Sequence, residues 1–155
     1  MKQRDRVAMT PAEVAELLAG QRKVQLATNG PDGFPHLVTM YYVLIEGQIA
    51  FWTYRTSQKA RNLERDPRIS CLVETGEQYF DLKGVLVQGT VRRIEDPAQV
   101  ADIGRRVSEV VAAWSGEPPA GAEPGMAEYV QRAAQKRFGY AVEPSRVISW
   151  DHTKL

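Results

Sequence analysis

Alternation of apolar and polar positions is the strongest signal in the first half of the chain. Val24-Gln25-Leu26-Ala27-Thr28 has the period of a half-buried strand. Asn29-Gly30-Pro31-Asp32-Gly33 follows as a turn, because these residue types each favour a turn conformation. The pattern then predicts one long strand over Phe34 to Ile45, a tight turn at Glu46-Gly47-Gln48 and a strand over Ile49 to Tyr54. Asp66-Pro67 breaks the chain, and Ile69 to Glu74 is the next strand. Leu82 to Ile94 sets Val85, Val87, Gly89 and Val91 against Gly84, Leu86, Gln88 and Thr90. Both faces are partly apolar, which suits a barrel wall that also meets a second subunit, or a strand buried on both sides within one chain. Phe138 to Trp150 reads as the last strand, interrupted at Pro144.

Helical periodicity punctuates these strands. Thr10-Pro11-Ala12-Glu13 is a capping box with Pro at the first helical position, and Gly20 supplies the stop, so Pro11 to Ala19 is a helix. Val14, Leu17 and Leu18 share one side of it, which suits a plug for one end of a barrel. Ser57 caps a short helix through Glu64, and Asp96-Pro97 opens a helix reaching Trp114. Ser115 to Gly125, rich in Pro and Gly, is a loop that suits the rim or lid of a pocket. A short helix from Met126 to Gln135 follows.

The chain of 155 residues suits one compact domain, residues 1–155. Its net charge of +1 provides no global field for nucleic acid or a membrane surface, so neither is expected as a partner. The charged stretch Met1 to Met9 does not read as a signal peptide, no apolar run is long enough to span a bilayer, and a cytoplasmic protein is expected. Cys71, the one cysteine, alternates with Ile69 and Val73 and is expected to be a small core residue. Two histidines and one cysteine complete neither a metal site nor a nucleophilic triad. A chain without its own acid–base constellation fits an enzyme whose cofactor carries the hard chemistry.

The most informative segment is Tyr54-Arg55-Thr56-Ser57-Gln58-Lys59-Ala60-Arg61-Asn62-Leu63. It opens a helix directly after an apolar strand. A helix start offers free N–H groups and partial positive charge to an anion, and Arg55, Lys59 and Arg61 add full charges. The same residues also describe a plain strand-to-helix turn with a solvated basic face.

In order along the chain, Leu26-Ala27-Thr28, Asp32-Gly33-Phe34-Pro35-His36, Lys59-Ala60-Arg61-Asn62-Leu63-Glu64-Arg65-Asp66-Pro67-Arg68, Gln88-Gly89-Thr90-Val91 and Trp150 to Leu155 resemble the pyridoxamine 5'-phosphate oxidase-like superfamily. Within it the chain looks most like the coenzyme F420-dependent branch. The segment Lys59 to Arg68 is the most specific of these motifs. The resemblance implies a mainly β, α+β fold: a six-stranded split β-barrel of Greek-key topology with three to four flanking helices. It implies that Arg55, Ser57 and Lys59 hold the cofactor phosphate, helped by Thr56 or Gln58, with Asn62 supporting the loop. It places the cofactor ring along Val38, Thr39 and Met40, with Thr53 near its pyrimidine end. The implied activity is hydride transfer from reduced F420 to a small electron-poor acceptor such as an enone or quinone, by a homodimer. Arg61, Arg65 and Arg68 would meet the polyglutamate tail of F420. Tyr41, Tyr42, Tyr54 and His152 are candidate proton donors, and none is marked out. Flavin mononucleotide is the alternative cofactor, and a carrier without turnover is the alternative function. Haem, with His36 and His152 as the available imidazoles, is a further alternative.

Overall fold

A computed structural model describes residues 2–123 and 125–155. Among them are seven strands: β1 Lys23–Asn29, β2 Pro35–Tyr41, β3 Val43–Ile45, β4 Gln48–Tyr54, β5 Arg68–Thr75, β6 Lys83–Ile94 and β7 Arg137–Asp151. They form one sheet in the order β2-β1-β5-β6-β7-β4-β3, antiparallel throughout. The strands at the two ends of that order, β2 and β3, are neighbours in sequence with only Tyr42 between them. The sheet therefore curls until its ends approach, which is the split barrel.

The seventh strand arises because the apolar run Phe34 to Ile45 is divided. The Tyr42 N–H bonds the Arg22 carbonyl at 3.0 Å, and its hydroxyl donates to the Leu18 carbonyl at 2.6 Å. Burial raises the pKa of this phenol, so it stays a donor. Composition carries no mark of such a break, since both halves are apolar and β-branched. Pro144 also acts differently from expectation. It lies within β7, opposite Gly89, and the register shifts at Gln88/Gly89. A Cβ on Gly89 would sit 2.0 Å from the Glu143 carbonyl oxygen, so only glycine allows the two backbones to approach this closely. The proline is accommodated by a bulge, and the strand continues.

Among the described residues, five α-helices accompany the sheet: α1 Gln3–Val7, α2 Pro11–Gly20, α3 Gln58–Arg65, α4 Pro97–Ser115 and α5 Met126–Ala134. The five-residue α1 lies in a charged stretch with no side-chain cap, which is why the pattern does not reveal it. The capping box of α2 forms as its sequence predicts, with Thr10 and Glu13 each bonding the other's backbone. Met9, Val14, Leu17 and Leu18 pack on the barrel interior. That interior holds Val24, Leu26, Phe51, Leu63, Ile69, Val73, Val85, Tyr140 and Val142, with the Phe51 and Tyr140 rings stacked 5.3 Å apart. Cys71 is fully buried there, and burial pushes its thiol up to about 12. A second cluster forms where α4 and α5 cover the outer face of β4 and β7 around Trp52, Ile103 and Val130. Among the described residues, no helix is long and apolar enough to cross a membrane.

The loop after α4 begins at Gly116, left-handed with φ 74°. Ala122 is buried, and Arg132 of α5 donates to the Gly121 carbonyl at 3.1 Å. Pro124, inside the expected lid, lies outside the described residues.

Candidate functional site

The β4-to-α3 junction is built from the pairing of β4 with β7. Thr53 pairs with Phe138 and Tyr54 with Arg137, and the Arg55 N–H bonds the Lys136 carbonyl at 3.0 Å. The chain then turns, the Ser57 N–H meeting the Tyr54 carbonyl, and α3 starts with Ser57 as N-cap. Ser57 Oγ accepts from the Ala60 N–H at 3.2 Å. The N–H groups of Gln58 and Lys59 occupy the first turn, where a helix provides no acceptor.

Lys59 stands at the centre of this junction. Its Nζ donates to Thr53 Oγ1 at 3.1 Å, and Thr53 Oγ1 in turn donates to Ser57 Oγ at 3.2 Å. No carboxylate pairs with Lys59 among the described residues. Its ammonium is partly withdrawn from water, and this desolvation pulls its pKa below the usual lysine value. A half-buried cation that, among the described residues, donates to one hydroxyl and pairs with no carboxylate is short of negative charge. Two hydroxyls, two first-turn N–H groups and this cation converge, and an incoming phosphate would complete them. On that observation the residues fit a phosphate-bearing cofactor.

Arg55 and Thr56 are disposed differently from Lys59. Arg55 Nε donates to the Arg137 carbonyl at 3.3 Å, and its guanidinium carbon lies 4.9 Å from the Phe138 ring centre. Arg93 approaches the same ring at 4.6 Å. Arg55 therefore rests on β7, while Thr56 is exposed in the turn.

Behind the junction, Asn62 is fully buried on α3. Its Nδ2 donates to Thr28 Oγ1 on β1 at 3.0 Å, and its Oδ1 accepts from Gln58 Nε2 at 2.8 Å and Arg65 Nη2 at 3.3 Å. Gln58 is thus spent on the helix itself. Arg65 also bonds the Asn29 carbonyl, and Arg68 pairs with Asp66 at 2.8 Å. Two of the three arginines expected to meet an anionic tail thus have partners within the chain. Arg61 is exposed on α3, with no ion pair among the described residues. Spacing alone could not show the two engagements that reach across to β1, Asn62 with Thr28 and Arg65 with Asn29.

The residues of β2 divide by face. Val38 and Met40 pack on the barrel interior, opposite Leu26 and Val24, while Thr39 is exposed. Because β2 ends the sheet order, alternate backbone groups on its far side have no strand to pair with. Those groups are available to a ring edge.

The candidate proton donors lie in different places. Tyr42 is committed to Leu18, and Tyr54 lies under the Arg137 guanidinium at 3.9 Å. His152 Nδ1 is 2.7 Å from the Tyr79 carbonyl oxygen at the β5–β6 end of the barrel. His36 stands opposite Thr28, which is itself opposite Ile69 at the start of β5. The two histidines therefore mark opposite ends of β5, about 20 Å apart at strand rise, so they cannot clasp one haem iron between them.

The sequence profile of the pyridoxamine 5'-phosphate oxidase family matches residues 10–151. No curated protein matches the chain significantly. Among solved structures, a conserved hypothetical protein of Mycobacterium tuberculosis is 38% identical with a TM-score of 0.82, over 99% of this chain and 92% of the other. The heme storage protein HutZ of Vibrio cholerae is 18% identical with a TM-score of 0.65, over 90% and 94% of the two chains. An F420 reductase is 22% identical with a TM-score of 0.64, over 85% and 93%. The last two share the fold at nearly equal similarity yet carry different ligands in their names, so the fold leaves the ligand open. The profile match across almost the whole chain and the 38% identical relative place this protein in the pyridoxamine 5'-phosphate oxidase family.

Proposed function

We propose that this protein is an F420H2-dependent reductase of a small electron-poor acceptor, and that it works as a homodimer. The observation that carries the cofactor part is Lys59, a half-buried cation whose one hydrogen-bond partner among the described residues is the Thr53 hydroxyl. In this reading Lys59, Ser57, Thr53 and the first-turn N–H groups of α3 bind the phosphate, with Arg55, Thr56 and Gln58 at the rim. The main chain of Val38, Thr39 and Met40 meets the ring edge, because two of those three side chains are spent on the core. When bound, a reduced deazaflavin supplies hydride to an electron-poor double bond or carbonyl. The protein's part is to fix the ring, exclude water and leave one ring face open.

The dimer part rests on the outer face of β1, β5, β6 and the end of β7. Leu72, Leu86, Ile148 and Trp150 are half-exposed there and Leu37 is 66% exposed, whereas α4 and α5 pack on the β2–β3–β4 side and on the first part of β7. A second copy would bury this apolar surface by symmetry. Light scattering at micromolar concentration is expected to give twice the chain mass; a monomer that binds cofactor fully would rule the dimer out.

Flavin mononucleotide remains the second reading, favoured by the engagement of Arg65 and Arg68, which leaves Arg61 to meet an anionic tail. Titration with both cofactors decides between them. F420 is expected to bind more tightly, with an affinity that falls as salt is added. Equal or tighter binding of flavin mononucleotide would overturn the cofactor assignment. Loss of F420H2 absorbance is expected only when a quinone or enone is supplied; inactivity across a broad acceptor panel would leave a carrier.

A further inference from the structure

Among the described residues, one buried side-chain nitrogen has no hydrogen-bond partner: Nδ1 of His36. Burying a polar atom without a partner costs free energy, and such an atom in a native fold calls for an explanation. His36 lies on β2 opposite Thr28 of β1. Directly opposed residues of an antiparallel pair project from the same face. Thr28 accepts from Asn62, and Asn62 accepts from Gln58, which opens α3. The imidazole thus shares a sheet face with the beginning of α3, next to a network whose other members already have partners. At the same helix start Lys59 of α3 donates to Thr53 of β4.

We propose that His36 is a further contact of the anion seat, donating a hydrogen bond to the phosphate of the bound cofactor from the side opposite Lys59. The inference rests on the seat reading above. The ring is only partly buried, and half a turn about its Cβ–Cγ bond exchanges the places of Nδ1 and the opposing ring carbon. Such a turn would carry the nitrogen away from the position where it is buried without a partner. As placed, Nδ1 has no partner; with an anion, the ring would complete a set comprising a cation, two hydroxyls and helix N–H groups. The sequence puts His36 in a family motif and among the haem candidates but does not place it at the anion seat, because nothing local to β2 links it to α3.

Cofactor pairs that differ in the phosphate supply the test. Wild type, His36→Ala, His36→Gln and Lys59→Ala are each titrated with flavin mononucleotide and riboflavin, and with F420 and its phosphate-free 8-hydroxy-5-deazariboflavin fragment. Both His36 variants are expected to bind the phosphate-bearing partner of the tighter pair roughly tenfold more weakly, the size of one hydrogen bond to a charged group, and the phosphate-free partner unchanged. An equal loss for both members of a pair, or no loss, would overturn the proposal. If Lys59→Ala weakens binding and the His36 variants do not, the seat stands and this inference fails; if Lys59→Ala changes nothing, the seat reading itself fails. His36→Gln carries the test if the alanine variant does not fold. An independent readout is available because the chain has two histidines: the imidazole resonance lost in His36→Gln should shift with flavin mononucleotide and stay in place with riboflavin. A haem Soret band abolished by His36→Ala would assign the ring to haem instead.

Discussion

Lys59→Ala is expected to weaken cofactor binding by about 1 to 3 kcal/mol, which is about fivefold to 150-fold in the dissociation constant. The range is that of a charge-assisted hydrogen bond to an anion, and two features of this side chain favour its upper part. Its ammonium is partly desolvated, so the attraction to a phosphate is screened less than at an open surface. It also has no competing carboxylate among the described residues, so little is lost within the protein when the anion arrives. Arg55→Ala should cost less, because that guanidinium rests on Phe138 and is tied to Arg137 through Nε. Isothermal titration with F420 and flavin mononucleotide measures both effects. A Lys59→Ala protein with unchanged affinity for both would remove the phosphate from this junction.

Asn62→Leu is expected to destabilise the fold by about 2 kcal/mol, lowering Tm by about 4 to 8 °C. The side chain is fully buried and serves three partners on two elements. Leucine is close in size, so the cost comes from polarity rather than from a cavity. The Thr28 hydroxyl, 2% exposed, loses its donor, and Arg65 retains only the Asn29 carbonyl. Removing both members of a buried pair is cheaper than removing one. Adding Thr28→Val should therefore recover part of the loss, and thermal denaturation of the two single variants and the double variant forms the cycle. A single variant as stable as the parent would mean that Asn62 does not tie α3 to β1. Because the same residue holds Gln58, cofactor affinity should fall with it.

Much of this fold could be read from the chain alone, for physical reasons tied to particular residues. Lys23–Asn29 announces itself through local alternation and Ile49 to Tyr54 through its β-branched and aromatic run, while Thr10 and Ser57 announce helix starts through their own hydroxyls. What was not legible was non-local. The break at Tyr42 depends on the carbonyls of Arg22 and Leu18, and the passage of β7 through Pro144 depends on a glycine more than fifty positions earlier. The candidate site divides in the same way. The segment Arg55 to Asn62 could be picked out by its basic and hydroxyl residues at a helix start. How its cations are engaged could not, because Arg137 of β7 holds Arg55 and Thr53 of β4 holds Lys59.

The pairing of β4 with β7 has a consequence for how the protein is made. The residues of the seat are encoded in one short stretch, yet the turn that aims them hangs from Lys136 and Phe138, some eighty residues later. A chain emerging from the ribosome carries Lys59 and Ser57 long before it carries the strand that sets Thr53 beside them. Closing so long a loop is slow compared with forming α3 itself. The cofactor therefore meets a finished barrel rather than guiding a growing one, and its binding energy stabilises the completed fold without speeding the arrival of its last strand.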